Sequence, residues 1–159
     1  MKMNFRQFDL KLRHEWTVAS SLNHGKTVSG TVLLDLTDDQ GVVGLGESAP
    51  ASRYKESVST VMEFLKKVDP NKLSFDNITA SMDYLEIFPG NYGAKCAVNI
   101  ALLDGAAKKA GNAIYDFLKL GFNENKHVTS FTIGIDTPDI IRKKVLEAEP
   151  YPILKLKVG

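Results

Sequence analysis

The sequence predicts two pieces of different grammar: an α+β segment, a three-stranded antiparallel meander followed by helices, and after it a single β-α-β unit. Three observations predict it. Polar and apolar residues alternate through much of the first fifty positions, the signature of half-buried strands. A helical period then takes over from Val58 to Lys109. Beyond a polar stretch without a period, Gly121 to His127, strand and helix patterns alternate again, which marks a boundary between the two pieces.

In chain order, Phe8, Leu10 and Leu12 alternate with Asp9, Lys11 and Arg13, so Met3 to Arg13 reads as the first strand. Trp16 to Gly25 has no period and reads as a long loop. A second strand covers Thr27 to Leu36, Thr37-Asp38-Asp39-Gln40-Gly41 turns the chain, and Val42 to Glu47 returns as the third. Gly44 and Gly46 lack the third glycine and parallel-strand context of a nucleotide-binding loop, and read as glycines that let the strand end bend. A second loop, Ala49 to Tyr54, carries Arg53 and Tyr54.

Val58, Val61, Met62 and Leu65 give one helix, and Ile78, Met82 and Leu85 a second, with Ser74 as its candidate cap. A third, from Tyr92 to Lys109, presents Ala94, Ala97, Val98, Ala101, Leu102 and Gly105, small enough for a neighbour to come close. Asp104 on this helix reads as a salt-bridge or capping partner, and Cys96 as a buried small side chain. Gly111 ends the helix, and a short turn or two follows over Ile114 to Leu118. In the last piece, Val128 to Ile135 reads as a strand. Thr137-Pro138 starts a helix with apolar face Ile140, Ile141, Val145 and Leu146, and Ile153 to Gly159 is a second strand, parallel to the first. One β-α-β unit cannot close a core, so the sheet is expected to continue in another segment or molecule.

A chain of 159 residues, 43% hydrophobic and 25% charged, has material for a full core. A net charge of +1 argues against nucleic acid or an anionic membrane as the main partner. No run approaches the ~20 apolar residues of a membrane span, and Met1-Lys2-Met3-Asn4-Phe5-Arg6 lacks the apolar core of a signal peptide. With one cysteine and no internal disulfide, a cytoplasmic location is expected.

The most informative stretch is Ile153-Leu154-Lys155-Leu156-Lys157-Val158-Gly159. As a strand it puts Leu154, Leu156 and Val158 on one face and both lysines on the other, their Cα atoms roughly 6.6 Å apart. Such lysines are either solvent charges on an edge strand or two cations gathered for chemistry.

The order of elements, with Gly44-x-Gly46-Glu47, the run Ala94-Lys95-Cys96-Ala97-Val98-Asn99-Ile100-Ala101-Leu102-Leu103-Asp104, Phe131-Thr132-Ile133-Gly134 and Leu154-Lys155-Leu156-Lys157-Val158-Gly159, resembles the N-terminal part of the enolase superfamily. Within it the chain is most similar to the muconate-lactonizing subgroup and its dipeptide epimerases. The resemblance implies an α+β capping domain over residues 1–124 and, over residues 125–159, the first β-α-β of a modified TIM barrel, incomplete in this chain. It implies a Mg²⁺-dependent enzyme that removes and returns the α-proton of a small-molecule dipeptide beside a carboxylate, through an enediolate. Lys157 resembles the base. Lys155 resembles its electrostatic neighbour and a substrate-carboxylate contact, and Thr132 a substrate-binding position. A neighbouring ammonium and a divalent cation both favour the neutral amine that a base must be. The capping loops supply weaker substrate-binding candidates: Ser21 and His24 in the first, Arg53 and Tyr54 in the second.

No metal ligand is assigned within the chain; the metal-binding carboxylates and the opposing lysine of such an enzyme are expected after Gly159, so this segment alone is expected to be inactive. The subclass acting on Ala-Glu dipeptides carries an arginine in the first loop, where this sequence reads Ser20-Ser21-Leu22, with His24 and Lys26 nearby and Arg53 as a substitute. Cycloisomerases, o-succinylbenzoate synthases and N-acylamino acid racemases share the fold and lysine pair and stand as alternatives, as does a non-catalytic binding or assembly module. Oligomeric state stays open, a homo-oligomer being one outcome.

Overall fold

The computed structural model describes residues 1–18 and 25–158, which fall into two compact units: Met1–Leu10 with Gly30–Gly121, and Lys11–Ser29 with Phe122–Gly159. Strands β1 (Lys2–Trp16), β2 (Lys26–Thr37) and β3 (Val43–Ser48) form one sheet in the order β1-β2-β3. β2 and β3 run antiparallel in a register from Val32↔Ser48 to Thr37↔Val43. Val32, Leu34 and Leu36 point from one face of β2 into the core of the first unit, and Met1, Met3 and Phe5 pack beside them. The turn between β2 and β3 is held by Asp38, whose Oδ1 accepts from the amides of Gln40 and Val42, both at 2.9 Å.

The helices of the first unit are α1 (Val58–Leu65), α2 (Ile78–Glu86), α3 (Tyr92–Lys109) and α4 (Ile114–Phe117). Ser57 and Thr60 form a reciprocal capping box at the start of α1. The cap of α2 is Asn77, whose side chain accepts from the Ala80 amide at 3.0 Å, and not Ser74. Ser74 closes the preceding turn instead, with its hydroxyl on the Asp76 amide and its own amide donating to Ser81 Oγ.

α3 lies against β3 with Ala94, Ala97, Val98, Ala101, Leu102 and Gly105 buried. Here the glycines of β3 show their function, which differs from strand bending. A Cβ on Gly44 would collide with the Ala101 carbonyl oxygen, and one on Gly46 with the Ala97 carbonyl oxygen. Small residues on both elements thus bring helix backbone onto strand backbone. Asp104 stitches the contact as a structural partner: its Oδ2 accepts from the Leu45 amide at 2.7 Å and from the Lys108 ammonium at 2.6 Å. Cys96, expected inside, is exposed. It shares a stripe one turn apart with Tyr92 and Ile100, both exposed, on the side of α3 turned away from the sheet.

In the second unit, β4 (Ser130–Ile133) and β5 (Ile153–Leu156) pair in parallel through α5 (Pro138–Glu147). Both strands are shorter than their apolar patterns: beyond β4 the chain changes partner, the Ile135 amide donating to the carbonyl of Thr17 at 3.0 Å, whereas beyond β5 one last bond to β4 remains, from the Lys157 amide to the Ile133 carbonyl at 2.9 Å. β1, conversely, is longer than expected and runs through Trp16, with the alternate residues Leu12, His14 and Trp16 half-buried. The inward stripe of α5 is not the expected apolar set. Ile141 and Val145 are half-buried and Lys144 and Ala148 buried, whereas Ile140 and Leu146 face outward.

Candidate functional site

The site is built on the β4-β5 pair. Its register sets Phe131 against Leu154, Thr132 against Lys155 and Ile133 against Leu156. Residues opposite each other in a parallel pair share a face, and residues two apart on one strand share it too. Thr132, Gly134, Lys155 and Lys157 therefore lie on one side of the sheet, and Phe131, Ile133, Leu154 and Leu156 on the other. The second side meets α5 and carries Ile133, which is 1% exposed. Lys155 is exposed and Lys157 half-buried, and among the described residues neither ammonium has an acidic partner.

The contrast with Lys144 is instructive. That lysine is buried, and its ammonium lies 2.9 Å from Asp136 Oδ2. A buried cation of the ordinary structural kind is paired; the lysines of β5 are not.

A cavity of about 490 Å³ opens beside Thr132, lined among others by Leu12, Trp16, Lys26, Ser29 and Phe131. That size suits a small organic ligand. Its lining includes the basic side chains of Arg13, His14 and Lys26. Glu147 engages two of them, at 3.8 Å from Arg13 Nη2 and 3.1 Å from His14 Nε2. Lys26 has no acidic partner among the described residues. The cavity thus combines apolar lining residues with basic ones.

Trp16 and the rest of this wall escaped the sequence reading because the wall is assembled from chain segments far apart. The available signal was alternation: Leu12, His14 and Trp16 continue the period of β1 into what reads as a loop.

Of the other residues singled out from sequence, Ser21 and His24 lie outside the described residues. Arg53 and Tyr54 sit in the first unit on a 3-10 turn, Ser52–Tyr54, where both are exposed. Tyr54 borders a second cavity, of about 330 Å³, with Ala49, Ala51, Glu56, Tyr92 and Gly93. Among the described residues no group of three His, Cys, Asp or Glu side chains could hold a metal ion, so these residues by themselves do not form a Mg²⁺ site. No helix is long and apolar enough to cross a membrane.

A three-stranded antiparallel sheet with helices, followed by a pair of parallel strands, is an arrangement shared with enolase-superfamily enzymes. Residues 12–119 match the family described as mandelate racemase / muconate lactonizing enzyme, N-terminal domain, and the chain belongs to that family. It is 59% identical over 160 residues to an L-Ala-D/L-amino acid epimerase of Pedosphaera parvula, covering 100% of this chain and 46% of that protein. A substrate-liganded L-Ala-D/L-Glu epimerase of Bacillus subtilis superposes on 100% of this chain and 45% of its own, with a TM-score of 0.86 at 25% identity. A dipeptide epimerase of Enterococcus faecalis V583, complexed with Mg and L-Leu-L-Tyr, does so on 99% and 45%, with a TM-score of 0.83 at 25% identity. The chain spans about half the length of the curated relatives it matches.

Proposed function

We propose that this chain supplies the capping domain, residues 1–124, and the opening of the catalytic barrel, from residue 125, of a dipeptide epimerase. The observation that carries the reading is the placement of Lys155 and Lys157 on the same face as Thr132, unpaired, in a chain 59% identical to a named epimerase of this kind.

The proposed chemistry follows from the residues. An α-proton beside a carboxylate is removed only if a base meets it and the enediolate charge is stabilised. Lys157, half-buried, is the base: its neutral Nζ takes the proton and, after the planar intermediate forms, an ammonium returns one. Lys155, exposed and directly across from Thr132, meets the substrate carboxylate, and Thr132 orients the same end of the substrate. The cavity beside Thr132 receives the side chain of the second residue. Arg53 and Tyr54, with Ser21 and His24, are proposed to shape the substrate site from the capping loops. Mg²⁺ belongs to this reading because the Enterococcus neighbour is complexed with it. When bound it supplies charge neutralisation at the enediolate, and its ligands are not provided by the described residues alone. A cytoplasmic location fits the free thiol of Cys96.

The test is exchange of the substrate α-proton in deuterated solvent by the full-length protein. L-Ala-L-X dipeptides should gain deuterium at the α-carbon of X, and Lys157→Ala should slow this by about 10²- to 10⁴-fold. No exchange with any dipeptide, or an unchanged rate in Lys157→Ala, overturns the reading.

A further inference from the structure

Gly134 follows Thr132 by two residues, immediately beyond the end of β4, and is buried; continued alternation puts its missing side chain on the face that carries the lysines. The backbone of Thr17 stands directly over it. A Cβ at position 134 would lie 3.0 Å from the Thr17 carbonyl oxygen and 3.2 Å from its nitrogen, closer than side-chain carbons normally come. The neighbouring Ile135 amide donates to that same carbonyl at 3.0 Å, so the segment is held down as well as admitted. Trp16, adjacent to Thr17, lines the cavity together with Thr132 and Phe131.

We propose that Gly134 is a positioning residue for specificity: its missing side chain lets Thr17 seat against β4 and so sets how far the Trp16 wall stands from Thr132. The inference rests on the epimerase reading, in which this cavity takes the side chain of the dipeptide's second residue. Gly134 touches no reacting atom. It acts through Trp16, on which substrates fit rather than on proton transfer itself.

A methyl at 134 must push the Thr17 backbone outward by a few tenths of an ångström, because backbone atoms are what it meets. That carries Trp16 away from Thr132 and widens the cavity. In the full-length enzyme, Gly134→Ala should raise the ratio of kcat/KM for L-Ala-L-Phe over L-Ala-L-Ala by about 3- to 10-fold, mainly through KM, the scale expected when a pocket changes by less than a methylene. Trp16→Ala should move the ratio the same way. In the Trp16→Ala background, Gly134→Ala should add nothing to the ratio, since the two act through one side chain. General destabilisation would lower activity toward both substrates alike and would persist in the double variant.

An unchanged ratio in folded Gly134→Ala overturns the proposal, as does an effect that survives in the Trp16→Ala background. Should Gly134→Ala not fold, Trp16→Phe and Trp16→Ala replace it, with a graded rise in the ratio supporting the wall and a constant ratio overturning it. A wild-type protein that epimerises no dipeptide removes the underlying reading and this inference with it, an outcome distinct from an active enzyme whose ratio does not move.

Discussion

The Lys144 ammonium sits 2.9 Å from Asp136 Oδ2, joining α5 to the loop that leaves β4, and the lysine side chain is only 7% exposed. The same carboxylate accepts from the Thr137 amide at 2.8 Å through Oδ1. One residue thus organises the start of α5 and the end of the strand that carries Thr132.

The hydrogen bond from Lys144, followed by that from Thr137, holds the Asp136 carboxyl below its ordinary range. A folded pKa below the unfolded one means that the carboxylate stabilises the fold at pH above the unfolded value of about 3.9. That contribution is lost as pH falls through the folded value. Wild-type denaturation midpoints should therefore drop through this acid window. Asp136→Asn should begin lower at neutral pH and lose less over the same range; parallel curves for the two proteins would remove Asp136 from the acid response.

Gly46 faces the carbonyl of Ala97 across the β3-α3 contact. Neither atom set can turn aside, because both belong to backbone, so Gly46→Ala must part the strand from the helix. We expect a loss of about 3 kcal/mol or more, the upper part of the range for overpacked cores. Urea unfolding measures it, and a midpoint within error of wild type would show that the contact is slack. Gly41, at φ +81 with open space around it, is the instructive comparison, since alanine there costs only backbone strain.

Asp104 serves α3 and β3 through the Leu45 amide and Lys108. Asp104→Ala should cost about 1–3 kcal/mol, the scale of a hydrogen bond to a charged group. In the full-length protein the proton-exchange rate at saturating substrate should be unchanged where the variant remains folded. A large fall in that rate without a change in stability would make Asp104 part of the site.

Much of this was legible in the sequence because side-chain periodicity is a local property. The Ala94 to Gly105 ladder of α3 could be read directly, and two charges alternating with leucines at Lys155 and Lys157 stood out without any fold. Strand ends were not legible. They depend on where backbone partners run out, as when Ile135 turns from the β4-β5 pair to Thr17. Cys96 went wrong because α3 carries apolar residues on its outer side as well, Tyr92 and Ile100 among them, so composition alone could not fix which way the helix was turned. The close approach of Thr17 to Gly134 and the place of Trp16 beside Thr132 could not be read at all, since each brings together residues distant in the chain.

The last prediction separates the two lysines of β5. Lys157 is half-buried, as a base shielded from bulk water should be, whereas Lys155 is exposed and stands opposite Thr132, where a carboxylate of the substrate can reach it. If the roles divide in this way, Lys157→Ala in the full-length enzyme should lower kcat by about 10²- to 10⁴-fold with KM held within a few fold. A small primary amine added to the solution should restore part of the rate by supplying the missing base. Lys155→Ala should instead raise KM about tenfold, because it loses binding to substrate and transition state together, and added amine should not repair it. Steady-state kinetics with amine rescue decides the assignment. Rescue confined to Lys155→Ala would exchange the roles, and equal losses in both with no rescue would mean that neither lysine carries the proton.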